Sequence, residues 1–306
     1  MPDSVALPID FSRRYGDGLS LGLSLGGGGI WFIAWQVSYI QQLAELGIDL
    51  AGADRVVGTS AGSVISSILE LGKLKSFARE VSFFARTPAL VSALAPAGKI
   101  KPSQQRALDL FVGSTDAEPD TIRAIGFAAL TAETPSPAKM RRSLLMILRT
   151  KKWPNDRLHI SCVDAYTGER CVLTQKSGIP LNAAAAASSA VPGIFSPQPI
   201  GDRKCMDGGV SGTGTHLDLL AGAQRVVVLS LTDDAIHETS GMTQSPSSFH
   251  DELESLRQSG TKVLQRSPLK VDLTKLMDPK GVGAAMEQGK MQAQADYESF
   301  QKFLMA

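Results

Sequence analysis

The stretch LSLGLSLGGGGIWFIAWQVSYIQQLAELG, residues 19–47, is followed closely by DRVVGTSAGSVISSILELG, residues 54–72, and the two share one plan. Residues 19–25 alternate Leu with Ser or Gly, a period of two that predicts a strand. Gly26, Gly27, Gly28 and Gly29 end it. Over 30–46, Ile33, Val37, Ile40 and Ala44 recur at helical spacing, and Gly47 closes the helix. Residues 54–57 (DRVV) predict a second strand that runs straight into GTSAG, 58–62. Ala61, Val64, Ile65, Ile68 and Leu69 then form an apolar stripe ending at Gly72. Two strand–turn–helix units in succession predict a parallel sheet with right-handed crossovers.

Further along, residues 73–152 have helical periodicity, no clear strand and six prolines (88, 96, 102, 119, 135 and 137). They read as a helical insertion over the sheet, a cap or lid. Strands resume at 157–164 (RLHISCVD) and 170–174 (RCVLT). A small-residue helix, AAAAASSA at 183–190, reads as a packing helix. A hairpin-like stretch around 200–206 leads to Asp207, Gly208 and Gly209, and 225–231 (RVVVLSL) reads as a buried strand. Residues 239–248 are polar and predict a loop. Met286, Ala293, Tyr297, Phe300 and Leu304 place one apolar face on a final helix. The expected organisation is an extension over 1–18 and a single domain over 19–306. Within that domain, 73–152 forms the cap and 282–306 a C-terminal packing helix.

Composition suits a globular chain: 306 residues, 43% hydrophobic, 20% charged. Lys plus Arg is 31 against 30 Asp plus Glu, so there is no overall electrostatic footprint for nucleic acid. Three cysteines, Cys162, Cys171 and Cys205, are too few for a disulfide framework and lack zinc-site spacing. They are expected to be reduced and buried, with Cys162 and Cys171 placed to lie on paired strands. Charged residues break up 1–20, so no secretory signal is read there, and glycines interrupt the most apolar window, 19–40, so no transmembrane segment is read either. The expected location is the cytoplasm.

GTSAG is a G-x-S-x-G motif between a strand and a helix, the context of a nucleophile elbow presenting Ser60. The plainer reading is a Ser N-cap. The run Gly26–Gly29 fits an oxyanion hole, a phosphate cradle or a tight turn. The phosphate-loop pattern is absent, and GTSAG one unit later favours the oxyanion role. Four histidines, His159, His216, His237 and His250, are candidate bases, and a Ser60–Asp164–His216 triad is one arrangement. Asp207 reads equally as an active-site carboxylate or as an ordinary Asp-Gly turn.

Together, GGGG at 26–29, GTSAGS at 58–63 and AVPGIFSPQPIGDRKCMDGGV at 190–210 resemble, in order, the motifs of the patatin-like phospholipases. The resemblance covers roughly 20–231. It implies a three-layer α/β/α sandwich with a mainly parallel sheet. It also implies a Ser–Asp dyad with Ser60 as nucleophile and Asp207 as general base, within the motif glycines Gly58, Gly62, Gly208 and Gly209. Gly27, Gly28 and Gly29 would hold the oxyanion, with no metal and no cofactor. The implied substrate is a lipid or fatty-acyl ester, as for a phospholipase A, lysophospholipase or esterase. One departure stands out: the family usually carries Arg or Lys and then Gly after the glycine run, and this chain has Ile30, Trp31 and Phe32. The two aromatics are expected to pack the helix; lining an acyl pocket is the other reading. The departure also motivates a catalytically weak lipid-binding reading, beside a Ser–His–Asp esterase or thioesterase on soluble substrates. Lys139, Arg141, Arg142, Arg149, Lys151, Lys152 and Arg157, interleaved with Leu144, Leu145, Ile147 and Leu148, suggest peripheral contact of 139–157 with an anionic membrane.

Overall fold

In the computed structural model, which describes residues 5–85, 100–235 and 247–305, the two leading units stand side by side. β1 (Leu21–Leu25) and β2 (Arg55–Gly58) pair in parallel, and α1 (Gly29–Glu45) and α2 (Ala61–Glu70) follow them. β3 (Leu158–Asp164) adds in parallel beside β2. Next come β4 (Arg170–Leu173), β5 (Gln198–Ile200) and β6 (Arg203–Asp207), the antiparallel part of the sheet, in which β4 and β6 both pair with β3. β7 (Arg225–Leu229) and β8 (Lys262–Arg266) extend the parallel part beyond β1. The order is β5-β6-β3-β2-β1-β7-β8, with β4 off this path. β8 was not anticipated from the sequence.

Side chains leave a strand alternately on its two faces, and the two faces bury different layers. Leu23, Leu25, Val56, Leu158, Val227 and Leu229 pack with α1, α2 and α9 (Val282–Met305). Val57, Val226 and Val228 pack against α8 (Ser248–Gln258) and the short 3-10 turn Leu217–Leu220. The result is an α/β/α sandwich. Ser248, expected in the polar loop, opens α8 instead, with Ser247 at its N-cap; residues 239–246 of that loop and His237 lie outside the described residues.

Along α1, Phe32 stacks on Trp35 at 5.4 Å and Trp35 on Tyr39 at 4.6 Å, and Tyr39 meets Phe300 of α9 at 6.2 Å. Such pairs contribute about 0.5–1.5 kcal/mol each beyond burial. Trp31 and Phe32 are both in this core, so they pack the helix.

The stretch 73–152 is helical where described: α3 (Leu74–Ala85), α4 (Pro102–Val112), α5 (Pro119–Thr131) and α6 (Pro137–Leu148). Pro102, Pro119 and Pro137 each open a helix, a position that needs no backbone N–H. Phe111 of α4 and Ile122, Ile125 and Ala129 of α5 form a satellite core with Val163, Met206 and Val210. These helices therefore sit over the ends of β3 and β6. α7 (Leu181–Ser188) is buried along its whole length. Cys162 and Cys171 face each other across β3 and β4, and all three cysteines are free and buried.

Candidate active site

Gly58 and Gly62 flank Ser60 because backbone must pass there. A Cβ on Gly62 would collide with the Leu25 carbonyl, and one on Gly58 with the Ser66 hydroxyl. α2 is thereby pressed against the end of β1, where the glycine run begins. Between them Ser60 takes φ 53° and ψ −119°, in the left-handed half of backbone space that L-residues avoid. This is the strained strand-to-helix geometry that a nucleophile elbow requires. The Ser60 side chain makes no capping bond to α2, so the N-cap reading does not hold.

The glycine run arrives from the other side. Gly26 is fixed by its amide, which donates to the Leu229 carbonyl at 2.9 Å, and by its carbonyl, which accepts from Gln36 at 3.0 Å. A Cβ on Gly27 would stand 3.1 Å from Ser60 Cβ and 3.7 Å from its Oγ. Gly29 has φ +65° and presses against the Leu276 carbonyl, which also accepts the Trp31 amide at 3.0 Å. The amides of Gly27, Gly28 and Gly29 donate to no group among the described residues. They lead into the N-terminus of α1, the positive end of its dipole.

Asp207 ends β6 and enters the 3-10 turn Gly208–Ser211. Its Oδ1 accepts the Gly209 amide at 2.9 Å, while its Oδ2 is buried without a hydrogen-bond partner. Gly208 must be glycine, since a Cβ there would meet Ser161 Oγ at 2.5 Å and Thr59 Cγ2 at 2.9 Å. Thr59 Oγ1 and Ser161 Oγ share a hydrogen bond of 2.8 Å, so the elbow and the Asp-Gly-Gly turn are packed together. Burial pushes the Asp207 carboxyl up to about 6, against the opposing pull of the Gly209 amide and the nearby Ser60 hydroxyl. The Ser60 hydroxyl is near enough to act on the Asp207 carboxyl, although Oδ2 has no hydrogen-bond partner. Ser60 is 4% exposed and Asp207 1%, so the pair is dry.

None of the three described histidines hydrogen-bonds Ser60 or Asp207. His159 Nδ1 lies 3.0 Å from the Arg157 carbonyl, and burial lowers its pKa to about 4. His250 Nδ1 lies 3.0 Å from the Asp234 carbonyl. His216 is fully buried with Nδ1 3.4 Å from Arg170; burial, and then Arg170, push its pKa well below the usual histidine value against the opposing pull of the Gly208 backbone. Asp164 is held by Arg203 at 2.9 Å and by the Tyr166 amide at 3.1 Å. Ser60, Asp164 and His216 are therefore not linked into a relay. Two residues that the sequence reading assigned only to a packing helix touch the site: Ser188 and Ser189 hold the Ser60 backbone. Nothing local in AAAAASSA signals this.

Gly27→Ala is expected to lower kcat/KM about 10–100-fold while leaving the melting temperature nearly unchanged. The backbone there is not left-handed, so Ala is tolerated, but its methyl presses on Ser60 Cβ at 3.1 Å and shifts the hydroxyl. Steady-state kinetics beside a thermal melt check this.

The model of the patatin-like phospholipases matches residues 23–219. No curated protein sequence matches the chain. Among solved structures it is similar to the type III effector ExoU, at 17% identity and a TM-score of 0.39, over 94% of this chain and 54% of that one. VipD from Legionella pneumophila gives 14% and 0.36, over 89% and 66%. ExoU in its complex with SpcU, from the type III secretion system of Pseudomonas aeruginosa, gives 16% and 0.42, over 95% and 52%. The chain thus spans about half to two thirds of the length of these proteins.

Proposed function

Because the chain belongs to the patatin-like phospholipase family, we propose that it is a lipid acyl hydrolase of the phospholipase A, lysophospholipase or esterase type, working through Ser60 and Asp207. The observation that carries this is one geometry: a serine with an uncapped hydroxyl on a strained turn, beside a buried carboxylate with one oxygen unpartnered. Ser60 Oγ attacks the ester carbonyl as Asp207 takes its proton. The carbonyl oxygen becomes an oxyanion, to which the amides of Gly27, Gly28 and Gly29 donate. One such donor contributes about 2.7–4 kcal/mol in a comparable site. Asp207 then returns the proton to the leaving alcohol, and a water activated by the same carboxylate releases the fatty acid.

An ordinary Asp, near pKa ~3.9, is a weak base at neutral pH. The dry setting of Asp207 raises its basicity. The helices over β3 and β6 act here as the cap that keeps water out. The Ser60–Asp164–His216 triad lacks support, since His216 faces Arg170 and Asp164 is held by Arg203.

The test is fluorophosphonate labelling with peptide mapping and a Ser60→Ala control. The probe is expected on Ser60 alone, with a labelling rate that rises with pH through about 6 as Asp207 loses its proton. No adduct, with lipid present, would leave a binding protein as the better reading.

Peripheral membrane contact is a second element of the proposal. α6 ends at Leu148; Leu144 and Leu148 are in the core, and Arg149 and Arg157 pair with Glu80 and Glu70. The exposed remainder is Lys139, Arg142, Lys151 and Lys152 around Met146 and Ile147. No helix among the described residues is long and apolar enough to cross a membrane. Co-sedimentation is expected to rise when phosphatidylserine is added to phosphatidylcholine vesicles, and to fall with salt. Equal binding to both would remove this element.

A further inference from the structure

We infer that the last residue of α7 and the two that follow it, Ser188 to Ala190, form a bracket that sets nucleophile and base at their working separation, with Ser188 and Ser189 as positioning residues for Ser60. This rests on the hydrolase reading above. Three bonds carry it. The Ser60 amide donates to Ser188 Oγ at 2.9 Å, and Ser189 Oγ donates to the Ser60 carbonyl at 3.1 Å. The Asp207 amide donates to the Ala190 carbonyl at 3.0 Å. Three consecutive residues thus hold the backbone of both members of the dyad.

The need for such a bracket follows from the elbow. The Thr59 amide still bonds the Leu25 carbonyl at 3.1 Å, as a continuation of the β1–β2 ladder. Ser60 then turns to φ 53°, and its amide leaves the ladder inside a buried site. A buried amide requires an acceptor. No backbone carbonyl supplies one, and Ser188 Oγ does, from a residue 128 positions away. Its side chain is fully buried, so the bond is not exchanged with solvent.

Composition makes the approach feasible. α7 reads LNAAAAAS, and its alanines let the helix lie close beneath the elbow while the two serines reach across. A serine hydroxyl both accepts and donates, so adjacent serines serve the amide and the carbonyl of one residue. The two bonds are unequal in consequence. The Ser60 carbonyl also accepts from Ser63 Oγ at 2.7 Å, whereas its amide has Ser188 alone. Ser188 is therefore the dominant positioning residue.

The experiment compares Ser188→Ala, Ser188→Thr and Ser189→Ala with the wild type by fluorophosphonate labelling rate, kcat and KM on a short-chain ester, and thermal melts. Ser188→Ala is expected to slow labelling and kcat at least about 10-fold with KM within about 2-fold, because the reacting oxygen moves and the acyl site does not. Ser189→Ala is expected to slow them less, and Ser188→Thr, which keeps the acceptor oxygen, to recover most of the rate. Ser188→Ala reacting at the wild-type rate overturns the bracket, whatever its melting temperature. Ser188→Thr no faster than Ser188→Ala also overturns it, by assigning the loss to packing. A wild type that takes no probe and hydrolyses no ester is a different result: it overturns the hydrolase reading on which the bracket rests.

Discussion

Asp207→Asn is expected to lower kcat by roughly 10⁴-fold and, in the same protein, to raise the melting temperature. The first effect is chemical. Asparagine can keep the bond from the Gly209 amide but cannot take the proton of Ser60. The second effect is electrostatic. In the folded chain burial holds this carboxyl near 6, while in the unfolded chain it ionises near ~3.9. A group whose folded pKa is raised binds its proton more tightly when folded, so its favourable contribution is complete at low pH. It is lost as pH rises from about 4 through about 6. A shift of this size corresponds to about 3 kcal/mol, so above pH 6 the wild type carries a buried charge that the variant lacks. The melting temperature of Asp207→Asn should therefore match the wild type near pH 4, exceed it by several degrees above pH 6, and level off there. Ser60→Ala should share the loss of turnover without this pH-dependent gain. An Asp207→Asn protein that melts like the wild type at every pH would mean that solvent reaches the carboxylate. One that turns over like the wild type would remove Asp207 from the mechanism.

The parts legible in the sequence were those written locally. A period of two followed by glycine and then a period of 3.6 marks β1–α1 and β2–α2 without any knowledge of partners. The two glycine motifs sit at those junctions, and the structure sets Gly27 against Ser60 as their order implied. Asp207 was ambiguous because an Asp-Gly turn and a catalytic carboxylate share the same local pattern. What supports the proposed carboxylate role is burial and the unpartnered Oδ2, which are properties of the packed site. β8 was missed because KVLQR is an edge strand, half-buried and partly charged, with no continuous apolar run. α8 was legible in principle, since Phe249, Leu253 and Leu256 recur at helical spacing and all face the core. Ser188 was not legible: its partner lies in a distant segment, and a hydroxyl in a run of alanines has no periodicity to betray its role. The basic stretch 139–157 was over-read as one surface, because sequence does not tell a free cation from one such as Arg157 that is spent on Glu70.

Asp218→Asn is expected to destabilise the fold by about 3–5 kcal/mol, the largest stability loss foreseen for a single polar substitution here. Arg170 on β4 and Asp218 form a two-pronged pair at 2.6 and 2.7 Å, with side chains 2% and 0% exposed. The guanidinium also donates to the Leu7 carbonyl at 2.6 Å and the Pro8 carbonyl at 2.8 Å, and Asp218 accepts the Asp10 amide at 3.2 Å. One ion pair therefore ties the N-terminal segment, β4 and the turn after His216 together. Removing the carboxylate charge leaves a guanidinium buried without compensation, which costs far more than the pair itself contributes. The damage should spread toward the candidate active site. The loop before Asp218 sends the Thr215 carbonyl to Ser24 Oγ at 2.8 Å on β1, one residue from the glycine run's strand end. Denaturant unfolding should show the loss directly, and hydrogen exchange should show residues 5–10 opening first. Arg170→Met combined with Asp218→Leu removes both charges and should recover much of the stability. If Asp218→Asn instead cost under about 1 kcal/mol, the pair would be behaving as a solvated surface bridge, and the burial around Arg170 would have to be looser than its contacts indicate.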